Sequence, residues 1–170
     1  MSRFDELCQA YVSAKKGFFA QRAAAVAFAG ELLAGMETHL GCPPFQLYFL
    51  PHNRDASSTK TRTADGAVWL DDDGLWRFAM ALCLRETQDT SRKDAIPQTV
   101  KFEMVVRPSE TGYTVKLKGW DDEFSLPSTD GSGERAAFYE NVFQRVLDSY
   151  QQPGQRFLEN VIESQRTIGS

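Results

Sequence analysis

The chain has 170 residues, 42% of them hydrophobic and 25% charged, which is globular usage at the size of one domain rather than that of a disordered chain. With 19 Lys and Arg against 23 Asp and Glu, the net charge of −4 argues against a whole-molecule attraction to nucleic acid or anionic lipid, though not against a local basic patch. Three widely spaced cysteines (Cys8, Cys42 and Cys83) outline no disulfide framework, so the expected compartment is the reducing cytoplasm.

Ser2 can cap a helix, with Asp5 three residues later at the positive end of the dipole. Asp5 and Glu6 stand where a secretory leader would be basic, so no leader is expected. Phe4, Leu7, Cys8, Tyr11 and Val12 recur at helical spacing, continued by Phe18, Phe19, Val26, Phe28, Leu32, Leu33 and Met36, until Gly41 and Pro43-Pro44 stop the pattern. The most apolar stretch, residues 23–36, contains Glu31 and falls short of the roughly 20 residues a membrane span needs. One helix over residues 3–39 would be roughly 55 Å long, against a diameter of about 40 Å for a domain of this size. The expectation is a break near Gly17; the alternative is a helix that protrudes and finds a partner, forming a dimer.

After the prolines the period changes to two. Phe45, Leu47 and Phe49 read as a short strand ended by Pro51, and residues 52–65 as a polar loop. Residues 66–70 and 75–86 flank Asp71-Asp72-Asp73-Gly74, a hairpin turn. Residues 98–107 and 113–118 form two further strands around a turn at Ser109-Glu110-Thr111-Gly112, and residues 123–126 add a short one. Residues 134–150 carry Phe138, Val142, Val146 and Tyr150 on one helical face, and Pro153 suits the start of a last helix with Phe157, Leu158, Val161 and Ile162. The fold class is α+β. One domain over residues 1–170 holds a helical segment (1–40), a single antiparallel, meander-like sheet of about five to six strands (45–126), and C-terminal helices (134–166). The terminal helices cover one face of the sheet.

Alternation sorts the strands into two faces. Trp76, Phe78, Met80, Leu82 and Leu84 share one with Val100, Phe102, Met104, Val106, Tyr113, Val115 and Leu117, and it must be the core. The other carries Arg77, Arg85, Lys101, Arg107, Lys116 and Lys118 with Glu103, around a floor of Ala79, Ala81 and Cys83. Exposed strands carry such cations for solubility; the sharper reading is a platform for an acidic partner or an anionic ligand. Nucleic acid wants exposed aromatics for stacking, and the three long strands place none there.

No motif reaches the specificity needed to name a reaction. His39 and Cys42 form one imperfect pair where zinc needs four donors. The glycine of the Asp-rich turn comes too early for an EF-hand loop. Gly131-Ser132-Gly133-Glu134-Arg135-Ala136 fits G-x-G-x-x-G/A but lacks the parallel strands of a dinucleotide site. Neither a metal nor a cofactor is expected. A general acid or base would be His39 or His52, the latter near Asp55 in a polar loop. Trp120, after Gly119 and before three acids, suits an interface anchor. The resulting expectation is a small soluble, non-enzymatic binding or adaptor protein whose partner is another protein or a second copy. Arg77, Arg85, Lys101, Arg107, Lys116, Lys118 and Trp120 are its expected contacts, and no membrane is involved. One alternative is an enzyme with a pocket between the sheet and the first helices, using His39 or His52; the other is nucleic-acid or anionic-ligand binding on the basic face.

Overall fold

Ser2 closes a capping box with Asp5: the Ser2 hydroxyl accepts from the Asp5 amide at 3.1 Å, and the Ser2 amide donates to the Asp5 carboxylate at 2.8 Å. The structure, a computed structural model, describes residues 2–52, 61–84, 98–128 and 132–151. From the capping box, helix α1 runs unbroken over Arg3–Leu40, 38 residues and therefore about 57 Å. It ends at Gly41, whose φ of 59° is the left-handed conformation that glycine adopts without steric cost and that closes the last carbonyls.

The break expected at Gly17 does not form. A glycine inside a helix costs only about 1 kcal/mol relative to alanine. Breaking there would require a second nucleation and forfeit several backbone hydrogen bonds. The helix therefore continues and projects: every residue from Ser2 to Gln21 is exposed, whereas Ala25, Phe28, Ala29, Leu32, Leu33 and Met36 are buried. Despite its length, α1 is not apolar enough to cross a membrane, and neither is any other helix among the described residues.

The strands are β1 (Leu47–Leu50), β2 (Trp69–Leu70), β3 (Trp76–Leu84), β4 (Gln98–Pro108), β5 (Gly112–Leu117) and β6 (Glu123–Pro127). They form one antiparallel sheet in the order β1-β3-β4-β5-β6. β1 and β2 both pair with β3, Leu47 opposite Leu82 in one case and Trp69 opposite Arg77 in the other. The strand expected over residues 66–70 is only two residues long, because Ala67 and Val68 donate to the Ala64 carbonyl in a turn. Helix α2 (Ser132–Gln151) follows β6.

Burial alternates along the first half of β3 and through the middle of β4 and the end of β5 as the period of two requires, whereas Met80 to Cys83 of β3 are buried on both faces. Phe49, Phe78, Met80, Met104, Val106, Val115, Leu117 and Leu126 lie on the covered face with almost no exposure. The packed half of α1 lies over this face, with Phe28 stacked on Tyr113 at 4.3 Å. α2 adds Phe138, edge-on to Phe124 at 5.1 Å, and Tyr139. Gly35 is where the two helices approach: a Cβ there would sit 2.2 Å from the Tyr139 hydroxyl and 2.8 Å from its ring. Arg135 fastens the helix pair from the side, reaching Glu31 at 3.1 Å and the Pro127 carbonyl at 3.0 Å. The last helix expected from Pro153, with Phe157, Leu158, Val161 and Ile162, lies outside the described residues.

Candidate functional site

The face of the sheet turned away from the core is built by register. Arg77 lies opposite Val105 and Val105 opposite Lys116; Lys101 lies opposite Ala81, and Arg107 opposite Thr114. These side chains therefore share the face that the alternation assigned to them. Arg85 lies outside the described residues.

Charge on this face is largely balanced. The β2–β3 turn folds back so that Arg77 sits 2.7 Å from Asp71 and 2.5 Å from Asp73, with Glu103 at 4.0 Å. Asp73 is held below the usual carboxylate range, first by the Leu75 amide and then by Arg77. Lys118 pairs with Glu103 at 3.1 Å, and Arg107 with Glu123 at 3.3 Å. Among the described residues, that leaves Lys101 and Lys116 as the cations of this face without an ion pair. The floor also differs from the expected row of small residues. Tyr48 of β1 joins it and packs with Ala81 and Cys83, with Leu50 against them. Burial pushes the Tyr48 phenol up, opposed by a hydrogen bond with Thr99. The middle of the face is thus an apolar cluster rather than a weakly polar trough.

The two histidines serve different elements. His39 Nε2 lies 3.0 Å from the Glu140 carboxylate, its ring near Tyr139, so it bridges α1 to α2. Glu140 is held below its usual range by Gln144 first and His39 second. His52 stacks on Trp69 at 4.4 Å, and its amide donates to the Gly66 carbonyl. Asp55, its expected companion, lies outside the described residues. Cys42 is half-buried, its thiol pushed up by burial and by Glu37, which disfavours the nucleophilic thiolate. No three His, Cys, Asp or Glu side chains among the described residues converge to hold a metal ion.

Trp120 is half-buried beneath Arg145, whose guanidinium lies 4.5 Å from the ring centre while pairing with Asp122. The two border a groove of about 550 Å³ between the end of β5, the start of β4 and α2, lined also by Val100, Phe102, Lys118 and Asp148. The groove opens where β5 stops short: β5 pairs with β4 only from Met104 onward, with one further hydrogen bond from Lys118 to Glu103. Among the described residues, neither histidine lines it.

Among the described residues, most of the exposed large apolar side chains lie elsewhere, on the projecting half of α1. Phe4, Leu7, Tyr11, Val12, Phe18 and Phe19 are between 39% and 72% exposed, the highest values at the tip. Phe4, Leu7, Tyr11 and Phe18 continue, at the same helical spacing, the stripe that Ala25 to Met36 bury against the sheet, and Val12 and Phe19 flank it. Phe18 is where the stripe leaves the body, touching Trp76 at 5.7 Å, and Arg22 ties the helix down through Asp65 at 3.0 Å. None of these side chains is among the residues that sequence reasoning selected as contacts. The available signal was the length of the helical pattern against the domain diameter. Comparison with protein-family models, with curated proteins and with solved structures gives no match.

Proposed function

We propose that the protein is a non-enzymatic binding or adaptor protein acting through protein–protein contact, with the projecting half of α1 as its principal contact surface. One observation carries the reading: six large apolar side chains stand in water along one side of a helix held by its other half. Contiguous exposed apolar surface of this kind marks an interaction site, and aromatic side chains are the residues that dominate such contacts. The sheet face has thinner support, since Arg77, Arg107 and Lys118 are already neutralised within the chain. A reducing cytoplasm suits the three free thiols, of which Cys8 lies exposed on the contact helix.

The test is quantitative co-purification from the native source. The tagged chain is compared with a Leu7→Asp/Tyr11→Asp variant and a Lys101→Ala/Lys116→Ala variant. The helix variant should lose most bound protein and the sheet variant little. A helix variant that retains the full set would end the reading.

A further inference from the structure

We infer that the projecting half of α1 pairs with the same segment of a second copy, antiparallel, about a two-fold axis crossing near Tyr11. This names the occupant of the contact surface proposed above and rests on that reading.

Three observations select a second copy. The first is charge. In the projecting half Asp5 and Glu6 outweigh Arg3 at the tip, and Lys15 and Lys16 stand ten residues on. An antiparallel pair crossing near Tyr11 brings the acidic turn of each copy beside the lysines of the other, twice over by symmetry. A parallel pair would set acid against acid and lysine against lysine. Lys15 is informative because it interrupts the apolar stripe, where a cation is costly unless an opposite charge meets it.

The second observation is length. The exposed segment runs from Ser2 to Gln21, and the body begins at Phe18 and Arg22, which contact Trp76 and Asp65. Two such segments laid antiparallel overlap end to end. Each helix tip then reaches the partner's body near Phe18 and Phe19. Phe4, the most exposed of the six, gains cover where the partner's stripe goes to ground.

The third is area. An aromatic side chain buries roughly 150–250 Å² when fully covered. Four aromatic side chains per copy, each about half exposed, with Leu7 and Val12 beside them, therefore offer on the order of 1,000 Å² across a pair, at the threshold of a specific interface.

The experiment uses the full chain. Sedimentation equilibrium should show a concentration-dependent dimer, and Tyr11→Asp should raise its dissociation constant by at least about tenfold. Because Tyr11→Asp places a charge on the helix, a Lys15→Glu/Lys16→Glu variant, which keeps good helix formers, should weaken association as well. Orientation is read by zero-length carboxyl–amine coupling of mixed unlabelled and nitrogen-15-labelled chains. Links from Asp5 or Glu6 to Lys15 or Lys16 should join a labelled to an unlabelled copy. Within one helix those groups are about 15 Å apart, too far for a direct amide. A monomer at every concentration overturns the proposal, including one whose projecting half resists hydrogen exchange because some other part of the chain covers it. A dimer lacking these links, or indifferent to both variants, overturns it equally. A monomeric chain whose Leu7→Asp/Tyr11→Asp variant still loses bound protein would remove self-pairing and leave the contact reading intact.

Discussion

The two halves of α1 carry one apolar stripe in two environments. From Ala25 to Met36 it is sealed against the sheet and α2; from Phe4 to Phe19 it meets water. The difference comes from the sheet rather than the helix. The longest strand, β4, has 11 residues and spans about 36 Å, while α1 spans about 57 Å. What the halves bury also differs. The packed half uses Ala25, Ala29 and Gly35, which let the helix sit close to its neighbours. The projecting half offers Phe4, Tyr11, Phe18 and Phe19, large rigid side chains that stand exposed.

The sharpest way to break this comparison is to truncate one side chain in each half. Leu32 has no exposure, so Leu32→Ala should cost about 2–5 kcal/mol of folding stability through lost transfer energy and the cavity left behind. Leu7→Ala, on the exposed half, should change stability by no more than about 0.5 kcal/mol when measured in dilute solution. Urea denaturation followed by tryptophan fluorescence reads both, since Trp76 reports on the sheet core. Similar losses from the two variants would mean that the projecting half is packed within the single chain after all.

A pair of glycines gives a smaller contrast, opposite in sign. Gly35→Ala drives a methyl group into the Tyr139 ring and should cost about 1–3 kcal/mol, the range for overpacking. Tyr139→Leu in the same chain should recover part of that loss, because the two positions touch. At Gly17 a Cβ would meet nothing within 4 Å, so Gly17→Ala should stabilise the projecting turns by roughly 0.5–1 kcal/mol. That gain belongs to local opening and should appear as slower hydrogen exchange over residues near 17, with little change in global unfolding. Unchanged exchange there would mean Gly17 is not a weak point of the helix.

The contrast between these glycines also shows what the sequence could disclose. The two sheet faces were legible over β3, β4 and β5, because a side-chain period of two is a local property of extended chain. The partners of the cations on that face were not. Arg77 is neutralised by Asp71 and Asp73 because β2 pairs with β3 beside it, and Lys118 by Glu103 fifteen residues away. Alternation assigns a face but not a register, so six cations read as a basic platform, whereas Arg77, Arg107 and Lys118 among them stand in ion pairs. His39 and Glu140 are 101 residues apart, and nothing local announces their contact. The N-terminal stripe was legible as helix, yet periodicity is silent on whether a stripe has a partner. Only helix length against domain diameter distinguished a break from a projection, and the low cost of one interior glycine decided it.

Acid gives the smallest contrast between the halves. In the packed half, Glu37 is grasped by both Arg62 nitrogens at 2.5 and 2.7 Å, and these hydrogen bonds hold its carboxyl below the usual value of 4.5. In the projecting half, Asp5 is held below 3.8 by the Ser2 hydroxyl and amide. Both groups bind a proton more readily in the unfolded chain than in the folded one, so in the acid range the unfolded state carries more protons and stability rises with pH. Their contribution is complete above those ordinary values and is lost as pH falls through the lowered ones. Protonating Glu37 should weaken the attachment of Arg62 to α1 and therefore register in the urea midpoint. Protonating Asp5 should undo only the capping box and register as faster exchange in the first turn. Glu37→Gln should flatten part of the acid limb of the midpoint against pH, and Asp5→Asn should leave that limb in place. Should Asp5→Asn flatten it as much as Glu37→Gln, the tip of α1 would be coupled to the folded body, and the two halves of the helix would be one energetic unit.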